Sequence, residues 1–241
     1  MNAFEPVDAF DRPPTPQKVG LALHIPVEDD DSDAAFFLVE ELSKDPVAAL
    51  DAVDFLLYKG AEASSLAKLL DDVDHKFRVD GPSRQLMLRV DQTSQHMYDR
   101  ATTPNDHASA LLASAWAKTF SRDRDPSGAW ADAIKAIEEL LKPIVTPNDS
   151  LATLGKMRGA LQACPEKWEC DLAERPANAK PPRRSPVEVF IDVLWLIPYA
   201  PDRHGGSGAT DVNDATSRTV VLQAVTICQW LRDGVLRQAN E

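Results

Sequence analysis

The residues with the most chemical reach in this chain stand together at Asp202-Arg203-His204-Gly205-Gly206-Ser207-Gly208. Arginine carries a fixed fork of donors suited to phosphate, and histidine titrates near neutrality, so an adjacent Arg–His pair can hold a phosphate and move a proton. The glycines that follow let a ligand approach the backbone. They equally make a surface turn, in which Gly supplies positive φ and His204 caps a helix end. The run Gly205–Thr210 also suggests a phosphate loop, but it lacks the Gly-Lys-Ser/Thr ending and follows an apolar helix rather than a strand.

Other chemistries are less well supplied. Asp71, Asp72 and Asp74 cluster, as do Glu138 and Glu139, yet neighbours at i and i+1 point to different sides of a helix and read as solvated faces. The histidines at 24, 75, 96, 107 and 204 show neither H-x-x-x-H nor H-E-x-x-H spacing, so no metal site and no cofactor are implied. Gly206-Ser207-Gly208 lacks the frame and the strand of a nucleophile elbow. Cys164, Cys170 and Cys228 are odd in number and form no C-x-x-C pair, which argues against both a disulfide framework and a zinc site and fits a cytoplasmic address. The one dense positive cluster is Lys180-Pro181-Pro182-Arg183-Arg184. With Lys156, Arg158, Lys167 and Arg175 it can line a groove for an RNA strand, with Trp168 for base stacking, or it can be a solubilising loop.

Charge narrows the partners. The chain carries 26 basic and 38 acidic side chains, a net charge of −12. Residues 1–103 hold 10 basic and 20 acidic, and residues 104–241 hold 16 and 18. An acidic first half repels phosphate backbones, which argues against non-specific binding to long duplexes but leaves room for a short RNA in a local basic cleft. Met1–Pro14 lacks the pattern of a signal peptide, and Val189–Ile197 is far short of a membrane span.

The elements that must position these residues are helices. Residues 1–32 read as a polar arm with one apolar patch, Gly20–Ile25, expected as a strand. Residues 33–103 read as a small helical module. It has helices over Ala34–Ser43, from Pro46 (stripe Val47, Leu50, Val53, Leu57, stopped by Gly60) and over Ala61–His75 (Leu66, Leu69, Leu70, Val73). A short hairpin follows, Lys76–Asp80 with Arg84–Asp91, and then a helix over Gln92–Ala101. Residues 104–241 carry all five tryptophans and therefore the principal core. Helices are expected there over His107–Phe120, Ala129–Lys142, Ser150–Ala163 (Leu151 inward), Val187–Ile197 and Asn213–Gln238. The fold class is mainly α: a helical bundle with a small N-terminal helical module and a short β-hairpin.

Three runs in this second part carry a family resemblance. Pro126–Glu138 followed by Lys142-Pro143-Ile144-Val145, then Thr153–Met157, then Asp202-Arg203-His204-Gly205 before a long final helix, resemble the C-terminal domain of abortive-infection proteins among uncharacterised bacterial proteins. That domain is similar in turn to the HEPN superfamily of helical, often dimeric domains that cleave RNA or bind nucleotides. The resemblance covers residues 104–241. It implies a phage-defence role, a homodimer, and binding or metal-independent cleavage of RNA. His204 would then serve as general acid/base, Arg203 as phosphate contact and Asp202 as the group orienting the histidine. The HEPN ribonucleases place an arginine four to six residues before the histidine, whereas Tyr199, Pro198 and Ile197 stand at those positions here, and Arg203 is adjacent instead. Two other readings stay open: a non-catalytic module whose acidic first half recognises a basic protein, and a nucleotide sensor using the Gly-rich loop.

Overall fold

Side-chain caps punctuate this chain. Thr15, Asp45, Asp91, Asp106, Asp125, Thr153, Ser185 and Asn213 each accept a backbone N–H of the helix they precede, which satisfies donors that the helix itself leaves unpaired. Part of the acidic surplus is therefore architectural. The structure, a computed structural model, describes residues 14–27, 33–81, 84–174, 184–197 and 212–239. The chain is mainly α, with two small antiparallel ribbons among the described residues, and it divides into two compact units, Met1–Arg89 and Val90–Glu241.

In the first unit, helices α1 (Pro16–Ala22), α2 (Ala34–Lys44) and α3 (Pro46–Tyr58) bury Val19, Leu38 and Ala52 together. The expected strand at Gly20–Ile25 is instead the end of α1 and the turn after it. Thr15 and Pro16 start a helix there, and the turn closes with Ile25 N–H donating to the Gly20 carbonyl at 2.8 Å. Position 20 must be glycine, because a Cβ would lie 2.5 Å from Val27 Cγ2 and 2.8 Å from the Ile25 carbonyl.

A second cluster joins α3, helix α4 (Ser64–Asp72) and the ribbon β1 (Phe77–Asp80) with β2 (Gln85–Leu88) through Leu57, Leu70, Phe77 and Leu86. The ribbon pairs Phe77 with Leu88 and Asp80 with Gln85. Both Leu86 and Met87 are buried, so β2 is covered on both of its faces there. The Leu86 N–H donates to Asp54 of α3 at 2.6 Å, which pins the ribbon to the helix. Of the stripe expected on α4, Leu66 and Leu70 face inward while Leu69 and Val73 are exposed. On α3, Val47 is exposed as well.

The second unit begins earlier than the break expected at Pro104, because α5 (Gln92–Thr102) packs with it: Tyr98 stacks on Trp116, ring centroids 4.3 Å apart, and Ala101 is fully buried. Helix α6 (His107–Phe120) lies along α7 (Pro126–Val145), and Ala115, Ala129, Ala133 and Ala136 are fully buried where the backbones approach. Large side chains, Trp116, Phe120, Ile137 and Leu141, fill the space between. The carboxylate of Asp132 is buried between the same helices and accepts from Ser114 at 2.8 Å, Lys118 at 2.7 Å and Lys135 at 3.3 Å. Pro143 does not end α7, which runs on to Val145.

Helix α8 is shorter than expected, Leu154–Ala163. Asp149 folds the preceding residues into a turn that leaves Leu151 88% exposed, and Glu138 accepts the Leu154 N–H at 2.7 Å. Helices α9 (Pro186–Trp195) and α10 (Asp214–Arg232) follow. The last helix stops at Arg232, not Gln238. Gly234 takes φ 73°, a left-handed value suited to glycine, and the chain returns as β4 (Leu236–Gln238) beside β3 (Trp168–Cys170). This second ribbon replaces what the sequence suggests is loop and helix.

Candidate functional site

Asp202, Arg203 and His204, between α9 and α10 in sequence, lie outside the described residues, and so do Lys180 and Arg183, which precede α9. What the structure defines is the frame on either side. Helix α9 starts with a reciprocal cap: the Glu188 N–H donates to Ser185 Oγ at 3.2 Å, and the Ser185 N–H donates to Glu188 Oε2 at 2.8 Å. Val187, Phe190, Ile191, Leu194 and, just past the helix, Ile197 are buried, so the chain leaves α9 from a fixed point. It rejoins at Asn213, which accepts the Thr216 N–H at 2.9 Å. Ser217 then donates to the Pro126 carbonyl at 2.9 Å, and Arg124 pairs with Asp214, so the start of α10 is tied to the start of α7.

At the C-terminal end of α9 stands a stacked pair that the sequence does not announce. Arg158 of α8 is only 3% exposed. Its Nη1 donates to the Leu194 carbonyl at 3.3 Å, and its Cζ lies 3.7 Å from the centroid of the Trp195 ring. Trp195 itself is 53% exposed, and Leu196 beside it is 59% exposed. A guanidinium on one face of an indole leaves the remaining surface available for stacking, an arrangement that suits a nucleobase or another flat group. A pattern of apolar residues on most sides of α9 predicts complete burial of Trp195. It is the last residue of α9, directly after the buried Leu194, and there it faces outward.

The basic residues expected to line one groove are dispersed. Arg184 pairs with Asp192, Lys156 pairs with Asp149, Arg158 is buried, and Lys167 is exposed directly before β3. The described part of that cluster is thus largely neutralised pair by pair, and it forms no continuous stripe. Two grooves flank the second ribbon. One, of ≈ 500 Å³, is acidic along Glu166, Glu169 and Asp171, with Arg237 bridging the last two at 3.0 and 2.8 Å. The other, of ≈ 840 Å³, is lined by Val145, Ala160, Ala163, Lys167 and Trp168.

Titratable groups elsewhere in the second unit serve structure. Arg232 grips Asp106 with two bonds of 2.8 Å, and this, with Ser109, holds the Asp106 carboxyl far below the usual range. Burial pushes Asp132 upward, but bonds from Lys118, Ser114 and Lys135 outweigh it, and its pKa ends below the usual carboxylate value. His107 contacts Glu139 at 3.3 Å, and Glu139 also holds Lys142, so the acidic pair 138–139 is used for capping and pairing. Burial pushes the Cys228 thiol up to about 12 and raises Cys170 as well, which keeps both protonated and unreactive at neutral pH. Among the described residues no group of three His, Cys, Asp or Glu side chains is placed to hold a metal, and no helix is long and apolar enough to cross a membrane. No protein-family model, no curated protein and no solved structure matches this chain.

Proposed function

We propose that this chain is an abortive-infection-type, HEPN-like helical protein that acts on RNA in phage defence, with the α9–α10 connection as its working edge. One observation carries the reading. Two of the runs that bear the family resemblance, 126–145 and 153–157, form α7 and the start of α8, which pack together, and α10, the long helix that follows the third run in sequence, packs on α7 as well. Packing of this kind is what a shared domain requires, and in sequence the Arg–His segment falls between α9 and α10, whose facing ends are both anchored. The half-exposed Trp195 on its arginine, at the root of that segment, adds a surface on which a base can stack.

In this reading Arg203 holds a phosphate and His204 works as general acid or base, with Asp202 orienting the imidazole. Cleavage forms a bond from the ribose 2′-oxygen to phosphorus and breaks the bond from phosphorus to the 5′-oxygen. One proton leaves the 2′-hydroxyl and one reaches the departing oxygen; His204 moves one of them, and the matching histidine of a second copy or water moves the other. The products are a 2′,3′-cyclic phosphate and a 5′-hydroxyl. Action on cellular RNA places the protein in the cytoplasm.

The test is incubation of the purified full chain with RNA, alongside its expression in a bacterial host. Cyclic-phosphate ends, or retention of RNA without cleavage, are expected. Cleavage, and the arrest of host growth that goes with it, should be lost in His204→Ala at an unchanged melting temperature. RNA that stays intact and unbound at high protein concentration, with normal host growth, would overturn the reading.

A further inference from the structure

Helix α2 has two apolar faces, and among the described residues only one of them is covered. Ala34, Leu38 and Leu42 turn inward to Val19, Ala52 and their neighbours. Phe36 and Val39, three residues apart and so on one side of the helix, point the other way and are 71% and 65% exposed. Phe37 on the flank and Val47 in the first turn of α3 are exposed too. Isolated exposed apolar residues are ordinary, but neighbouring aromatic and β-branched side chains on one short helix are the mark of a contact surface.

The charges beside this face say what fits it. Helix α2 carries Glu40 and Glu41, with Asp33 and Asp45 at its two ends. Its one basic residue, Lys44, is held by Glu41 at 2.7 Å and Glu40 at 3.6 Å. Residues 1–89 contain eighteen acidic and nine basic side chains. A second copy of this chain would bring the same glutamates against one another, and nucleic acid or an anionic membrane would be repelled. A basic partner is drawn in.

We infer that the outward face of α2 binds an amphipathic helical segment of another protein, with apolar residues at helical spacing between lysines or arginines. Phe36 and Val39 supply the buried contact, and the surrounding carboxylates select the charge. The surface is independent of the α9–α10 connection, so it stands or falls separately from the activity on RNA.

The experiment titrates the full chain with a synthetic amphipathic helix of leucine and lysine and with its twin carrying glutamate in place of lysine. Saturable one-to-one binding of the lysine peptide alone is expected. The double variant Phe36→Ser/Val39→Ser should bind it about tenfold or more weakly, the loss that removing a central apolar anchor produces, at an unchanged melting temperature. Glu40→Gln/Glu41→Gln should instead steepen the loss of binding with salt far less than the parent chain, because fewer charges remain to be screened. Equal affinity of the parent and the apolar double variant would show that bulk charge alone attracts the peptide, and would overturn the inference. So would a concentration-dependent dimer that Phe36→Ser/Val39→Ser dissolves, since the occupant would then be a second copy.

Discussion

Helix pairing in the second unit and in the first solves the same problem to different degrees. Around α7, small residues let long helices approach closely, and Trp116, Phe120, Ile137 and Leu141 are covered on every side. In the first unit, helices of two to four turns share their apolar residues between two small clusters and leave Phe36, Val39, Val47, Leu69 and Val73 in solvent. Core size explains much of this, because a small unit has too little interior for all its apolar side chains. The contrast also divides the labour proposed above: a firm frame that positions a loop, and a surface with apolar area to spare.

The largest expected effect sharpens that contrast at the frame. Trp116→Ala removes a fully enclosed ring stacked on Tyr98 and tilted against Phe120 and should cost about 3–5 kcal/mol in the chemical unfolding of the second unit. A loss near that of an exposed residue would mean that the α5–α6–α7 packing is looser than described. Asp132→Ala comes next. It strands the Lys118 ammonium and the Ser114 hydroxyl against apolar neighbours, and about 1–3 kcal/mol should be lost by the same measurement.

Acid should act on the second unit through Asp106 and Asp132. Both carboxyls titrate lower in the folded chain than their ordinary value of 3.8, so their contribution is present above that pH and fades as pH falls through the depressed folded values. A melting temperature followed from pH 5 downward should drop, and Arg232→Met should flatten the drop. The smallest effect belongs to the first unit, where Phe36→Ser should shift stability by no more than about 0.5 kcal/mol, since the ring contacts little in the folded chain. A loss of several times that would show the ring to be core rather than surface.

Helix positions were the most legible part of the sequence. Asp106 before an apolar run marks α6 from His107 to Phe120, and Asp125-Pro126 marks α7. Three-residue strands such as β3 and β4 are too short for their period to register, although Asp233-Gly234 already marks the end of the last helix. Gly20–Ile25 reads as a strand only if the Thr15-Pro16 start is overlooked. Exposure was harder to read than element type: Val47, Leu69, Leu151 and Trp195 fit the inward pattern and face outward, because the neighbour that would cover them is a matter of tertiary packing. An arginine on a helix ordinarily reads as solvated, so the burial of Arg158 against Trp195 had no sequence signal of its own. Of Asp202, Arg203, His204, Lys180, Arg183 and Arg184, only Arg184 falls within the described residues, and there it is paired with Asp192.

Amide hydrogen exchange on the catalytically silenced His204→Ala chain, with RNA added in one series and the leucine–lysine helix in another, probes both halves of the account at once. RNA should slow exchange around the end of α9 and the start of α10, where Trp195 on its arginine remains to stack a base, and the peptide should slow exchange along α2 and the first turn of α3. Protection of α2 by RNA, or of the α9–α10 ends by the peptide, would contradict the division of labour between the two units.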